Sequence, residues 1–126
     1  IWSDSTNGKI TNCRISFSDL NSAPCINDTL NTNLSSNITI SKVVMDSYGN
    51  VYAIWQQNEG FGNESIYFAS YNGTWTLPAS FSDKINPDGS NAINPHIAVS
   101  KNGSYGAAVW IQADSYGYQQ VFLYRF

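Results

Sequence analysis

Three tryptophans set the frame for this chain: Trp2, Trp55 and Trp110. Eleven positions after each comes a run of β-forming residues: Cys13-Arg14-Ile15-Ser16-Phe17, Ile66-Tyr67-Phe68-Ala69-Ser70 and Val121-Phe122-Leu123-Tyr124-Arg125. No gap is needed to align them. Upstream, Val43-Val44-Met45-Asp46 aligns with Ile97-Ala98-Val99-Ser100, and Gly49 with Gly103, with one inserted residue before Trp110. The period is 53 to 55 residues. Units that repeat at this spacing bury their apolar faces against their neighbours rather than within themselves.

Within the period, β-branched and aromatic residues fill the runs, and glycine and asparagine fill the turns. The one complete unit reads as strand Ile38–Met45, turn Asp46-Ser47-Tyr48-Gly49-Asn50 and strand Val51–Gln57. The long polar loop Gln56–Ser65, strand Ile66–Tyr71 and turn Asn72-Gly73 follow. A last strand, Trp75–Phe81, carries Pro78, which lacks a ladder donor and so belongs at a sheet edge. The first unit supplies Ile1-Trp2, the loop Ser3–Asn12, strand Cys13–Phe17 and an outer strand near Cys25-Ile26. The third supplies Ile97–Val99, Gly106–Ile111 and Val121–Phe126. Two prolines and an Asp-Gly pair in Ser82–Pro95 predict an irregular connection. Both faces of the third strands are apolar: Ile66 and Phe68 alternate with Tyr67 and Ala69, and Val121 and Leu123 with Phe122 and Tyr124. A sheet with two dry faces has neighbours on both sides. The expected fold is therefore all-β, a β-propeller segment of two to three four-stranded antiparallel blades. One blade, 37–90, is complete, and two, 1–36 and 91–126, are partial. The terminal units are expected to expose Phe122, Tyr124 and Phe126, and the chain to belong to a longer propeller.

Composition narrows the function classes. The chain has 126 residues, a net charge of −3 and only six Lys and Arg, too few for the basic stripe that nucleic acid requires. No apolar run reaches the ~20 residues of a membrane span. Asn, Ser, Thr and Gln supply the polar surface, which points to a secreted or cell-surface protein. Cys13 and Cys25 allow one disulfide; Cys13 also fills the slot of Ile66 and Val121, which favours a small buried thiol.

One run goes from Pro95 through Ile97-Ala98-Val99-Ser100 and Gly103 to Ala108-Val109-Trp110. Val43–Asp46, Gly49 and Ala53-Ile54-Trp55 match it, and Ile66-Tyr67, Tyr71-Asn72-Gly73 and Trp75 follow. This pattern resembles bacterial sialidase-like and related β-propeller repeats. It departs from the sialidase Asp box, because Asp46 and Gly49 are three apart and Trp55 stands six further on. The resemblance implies the fold; activity does not travel with it. Sialidase-type hydrolysis, as the resemblance would have it, needs an arginine cluster, and this chain holds only Arg14 and Arg125.

Candidate chemistry is correspondingly sparse. His96 aligns with Lys42 and reads as a polar residue at a channel mouth, without the partners of a triad or zinc site. Asp83, Asn86 and Asp88 lack the spacing of a calcium loop. No catalytic residue, metal ligand or cofactor is assigned. The loops after the tryptophans are the binding candidates: Asp4, Glu59, Phe61, Glu64, Asp114, Tyr116 and Tyr118. Exposed aromatics beside hydrogen-bonding groups suit protein contacts or sugar stacking. The first reading is a non-catalytic interaction module that binds a protein partner. The alternative is a glycan-binding or sialidase-like domain whose catalytic residues lie elsewhere. Six Asn-x-Ser/Thr sequons, at Asn27, Asn33, Asn37, Asn63, Asn72 and Asn102, bear on the surface only where a host glycosylates them.

Overall fold

The computed structural model describes residues 2–4, 9–14, 26–30, 38–59 and 62–126. These residues are all-β, apart from a single 3-10 turn at Phe81–Asp83. They form three antiparallel sheets, none closed on itself. The first holds β1 (Trp2–Asp4), β2 (Lys9–Arg14) and β3 (Ile26–Thr29). The second holds β4 (Ile38–Met45), β5 (Val51–Asn58), β6 (Glu64–Tyr71) and the short β7 (Trp75–Thr76). The third holds β8 (Ala92–Val99), β9 (Gly106–Ala113) and β10 (Gln119–Arg125). Strand order follows chain order throughout, as hairpin connections demand. No helix among the described residues is long and apolar enough to cross a membrane.

The middle strands of the second sheet, β5 and β6, are dry on both sides. One face, Ala53, Trp55, Tyr67 and Ala69, packs on Leu30 at the end of the first sheet. The other, Ile54 and Ile66, packs on Ala92, Ala108 and Trp110 of the third. The register repeats between the second and third sheets: Trp55 stands opposite Tyr67 and Trp110 opposite Phe122, and each pair stacks, with centroids 5.9 and 6.1 Å apart. Large stacked rings on the same cross-strand pair give the second and third sheets the same ridge, which meets Leu30 in one case and Ile54 and Ile66 in the other; in the first sheet Trp2 stands opposite Thr11 instead.

Four expectations are corrected. First, Phe122 and Tyr124 face the second sheet, and Phe126 lies on Tyr52 and Phe68, 4.9 and 4.7 Å between centroids. The exposed apolar residues are the alternate ones, Val121 and Leu123. Period-two alternation separates the sets, but the side chosen by Trp110 decides which set is covered. Second, the connection after β7 is not irregular throughout: β8 begins at Ala92 and runs through Pro95. A bulge between Ile93 and His96, with Asn94 at φ 56°, absorbs the residue that cannot donate. Third, the fourth strand of the second sheet is two residues long, and Phe81 opens the 3-10 turn instead. Fourth, the first sheet keeps the expected order, but β1 and β2 run into the expected loop Ser3–Asn12, with β2 starting at Lys9 rather than Cys13; residues 15–17 of the expected strand lie outside the described residues. Cys25 lies outside the described residues, and with it the question of the disulfide.

Candidate functional site

The loops following β5 and β9 are built alike. Glu59 and Asp114 each stand four residues after a repeat tryptophan, and each backbone N–H donates to the carbonyl four residues on, Asn63 and Tyr118, at 2.9 Å. Gly62 and Gly117 close both turns with positive φ, 84° and 86°, which side-chain-bearing residues resist. The two loops therefore leave their sheets at the same end. The acids nevertheless do different work.

Asp114 organises its own loop. Its Oδ1 accepts from the backbone N–H of Tyr116 at 2.9 Å and of Tyr118 at 3.0 Å, and its Oδ2 from Gln120 at 3.1 Å. The backbone N–H of Tyr118 is the chief reason its carboxyl lies below the ordinary aspartate value. The loop so pinned holds Tyr116 and Tyr118 in solvent, 85% and 70% exposed. Asp46, in the same Asp-Ser-Tyr-Gly sequence, caps the β4–β5 turn at the other end of the sheet in this manner and leaves Tyr48 exposed.

Glu59 turns inward. Its Oε1 accepts from Ser65 at 2.6 Å, Lys84 at 3.0 Å and Tyr67 at 3.3 Å. Burial works to raise its pKa; the Ser65 hydroxyl and then Lys84 outweigh that and hold it below the usual glutamate value. Burial, reinforced by the Glu59 charge, pushes the Tyr67 phenol far above its usual range. The expected rim acid is thus a structural bridge from β5 and β6 to the connection before β8. Glu64 accepts from Gln56 and Asn58, both at 3.2 Å, and its N–H donates to Asn91 at 2.9 Å. Ser90 beside it donates to the carbonyl of Ala113 at 2.6 Å. A hydrogen-bonded ledge therefore leads from Glu64 across Asn91 and Ser90 to the Asp114 loop.

Of the sequence candidates, then, Glu64 stands on this ledge, Asp114, Tyr116 and Tyr118 stand on the loop it reaches, and Glu59 is bound instead to Ser65, Tyr67 and Lys84. Phe61 lies outside the described residues, and Asp4 is described only by its backbone in β1. The ledge residues Ser90 and Asn91 were not singled out from sequence; no local pattern marks them. Asp83, Asn86 and Asp88 go separate ways. Asp83 accepts from the N–H groups of Ala79 and Ser80, Asn86 from that of Ile66, and Asp88 pairs with Lys84. No group of three or more potential metal ligands exists among the described residues.

No protein-family model matches this chain, and no solved structure does. The chain is similar to a fucose-specific lectin of Aleuria aurantia, 29% identical over 86 residues, which is 68% of this chain and 26% of the lectin. It thus spans about a quarter of that protein's length.

Proposed function

We propose that this chain is part of a sugar-binding β-propeller, with the Asp114 loop and the adjoining ledge as a glycan site. Two features support the propeller: a second sheet whose middle strands are covered on both faces, and the stacked tryptophan pair common to the second and third sheets. The sialidase-like resemblance enters for this fold only. The observation that carries the binding reading is the pair Tyr116 and Tyr118, exposed yet held on a loop that Asp114 stiffens. A pyranose offers an apolar C–H face to a phenol ring and hydroxyls to the amides and carboxylates around it. A ring fixed in advance loses little entropy on binding. The similarity to a fucose-specific lectin favours glycan over protein as the partner. A deoxyhexose, with a methyl group beside its hydroxyls, suits a platform of phenols and carboxamides. A carbohydrate ligand also accords with a place outside the cell.

The test is a glycan array followed by calorimetry on the 126-residue chain. Saturable binding of a fucosylated or related sugar, weakened about tenfold or more by Tyr116→Ala with the fold intact, is expected. A blank array from folded protein would contradict the proposal.

A further inference from the structure

Two turns among the described residues carry the same pair, Asn72-Gly73 between β6 and β7 and Asn102-Gly103 between β8 and β9. Both asparagines are exposed. A glycine after asparagine has no side chain to keep its nitrogen from the carboxamide carbon beside it, so this pair is open to ring closure. Asn86 and Asn94 precede prolines, which have no N–H to lose.

The two turns hold the pair differently. At Asn102 the reacting groups are tied down. Its Oδ1 accepts from the Ser100 hydroxyl at 2.9 Å and from the Ser104 N–H at 3.2 Å. The Gly103 N–H donates to the Ser100 carbonyl at 2.9 Å. The Asp46 carboxylate crowds the Cα of Gly103, and its charge opposes the negative charge that the nitrogen takes on when it loses its proton. At Asn72 the turn is closed by a long bond, from the Asn72 backbone N–H to the Thr74 carbonyl at 3.3 Å. Among the described residues neither the Asn72 carboxamide nor the Gly73 N–H makes a hydrogen bond. A Cβ built on Gly73 would meet nothing within 4 Å.

We propose that Asn72 is a site of spontaneous deamidation and isomerisation, and that the fold protects Asn102 from the same reaction. The Gly73 nitrogen gives its proton to hydroxide and attacks Cγ of Asn72. The Cγ–Nδ2 bond breaks, ammonia leaves with a proton returned by water, and a succinimide closes. Water then opens either of the two C–N bonds made by the former Gly73 nitrogen in the ring, leaving aspartate or isoaspartate. One water is consumed, one ammonia is released and no electrons change hands. Either product puts a negative charge in the turn, and isoaspartate adds a carbon to the main chain. Strand β7 is two residues long and is held through Tyr71 opposite Trp75 and Ser70 opposite Thr76. The lengthened turn therefore draws Trp75 away from the Tyr71 ring, 5.4 Å off between centroids, and loosens this edge of the second sheet with age. The proposal is independent of the sugar reading.

The test is incubation of the folded 126-residue chain at mildly alkaline pH, followed by peptide mapping with mass spectrometry. Labelling by an L-isoaspartyl methyltransferase reads the isomer. The chain is made in a host that attaches no N-glycans, because Asn72 also heads a sequon. Asn7-Gly8 lies outside the described residues and is read in its own peptide. Three hydrogen bonds at Asn102 must open before attack, so Asn72 should convert about tenfold or more faster than Asn102. In urea the two rates should converge, since Asn-Gly-Thr and Asn-Gly-Ser are chemically alike. Ser100→Ala should speed conversion at Asn102 and leave Asn72 as it was. Equal rates in the folded chain, or no conversion of Asn72, would overturn the proposal. A difference that persists undiminished in urea would trace the preference to flanking sequence and overturn it as well.

Discussion

Trp110 donates its indole N–H to Oε1 of Gln112, two residues along the same strand, at 3.2 Å, and both side chains are buried. The pair recurs one repeat earlier, where Trp55 donates to Gln57 at 2.8 Å. Residues two apart in a strand share a face, so the glutamine is the nearest group that can satisfy an indole shut between two sheets. Gln112 then donates from Nε2 to the carbonyl of Pro87 at 2.9 Å, fastening the connection to the third sheet.

Gln112→Leu should therefore cost about 1–3 kcal/mol, because a buried N–H and a carbonyl lose their partner together. Urea unfolding reads this as a lower midpoint with an unchanged slope. An unchanged midpoint would show that the pair contributes nothing.

Gly106 faces the edge of the Phe126 ring so closely that an added Cβ would overlap it. Gly106 and Phe126 also exchange both backbone hydrogen bonds, at 3.0 and 3.1 Å. Gly106→Ala should displace Phe126 from Tyr52 and Phe68 and destabilise the chain by about 1–3 kcal/mol. Thermal unfolding checks it, and the double variant with Phe126→Ala should show less than the summed loss.

Glu59 was legible in the sequence as an acid in the right loop, but its partner Lys84 is 25 residues away, and no local pattern announces that pairing. Its role is stability. Glu59→Ala should cost about 1–3 kcal/mol and leave sugar affinity unchanged. Its folded pKa lies below the unfolded value. The contribution is therefore complete above the ordinary glutamate value of about 4.3 and drains away as pH falls through the lower, folded value. Denaturant titrations between neutral pH and the acid range would expose an opposite slope.

Strands β4 to β6 and β9 to β10 could be read from the chain because alternation and turn glycines agree there. Strand β8 could not be read in full, because Pro95 speaks against a strand unless a bulge accommodates it, and the bulge depends on Gln56 of another sheet. The covering of Phe122 and Tyr124 was hidden for a different reason. When both faces of a strand are apolar, alternation sorts residues into two sets without saying which set meets the neighbour.

Asp114→Ala should loosen the loop without unfolding the sheet, since its bonds are local and exposed. Sugar affinity should fall several-fold while the unfolding midpoint moves little, because the loop must then be ordered at the moment of binding. Wild-type binding should also fade in acid. The carboxyl is held below its ordinary value, so the anchor is intact above about pH 4 and is lost as pH falls through the depressed value. Affinity measured against pH, with Asp114→Asn as a variant that keeps one acceptor at all pH values, separates the anchor from general unfolding.

The exposed tyrosines Tyr116 and Tyr118 are the central element of the proposed sugar site. Calorimetric titration of the folded 126-residue chain with L-fucose, repeated with Tyr116→Ala and Tyr118→Ala, measures it most directly. The account predicts saturable binding that each variant weakens about tenfold or more at unchanged stability. Binding that both variants retain in full, or none from the folded wild type to any sugar, would contradict it.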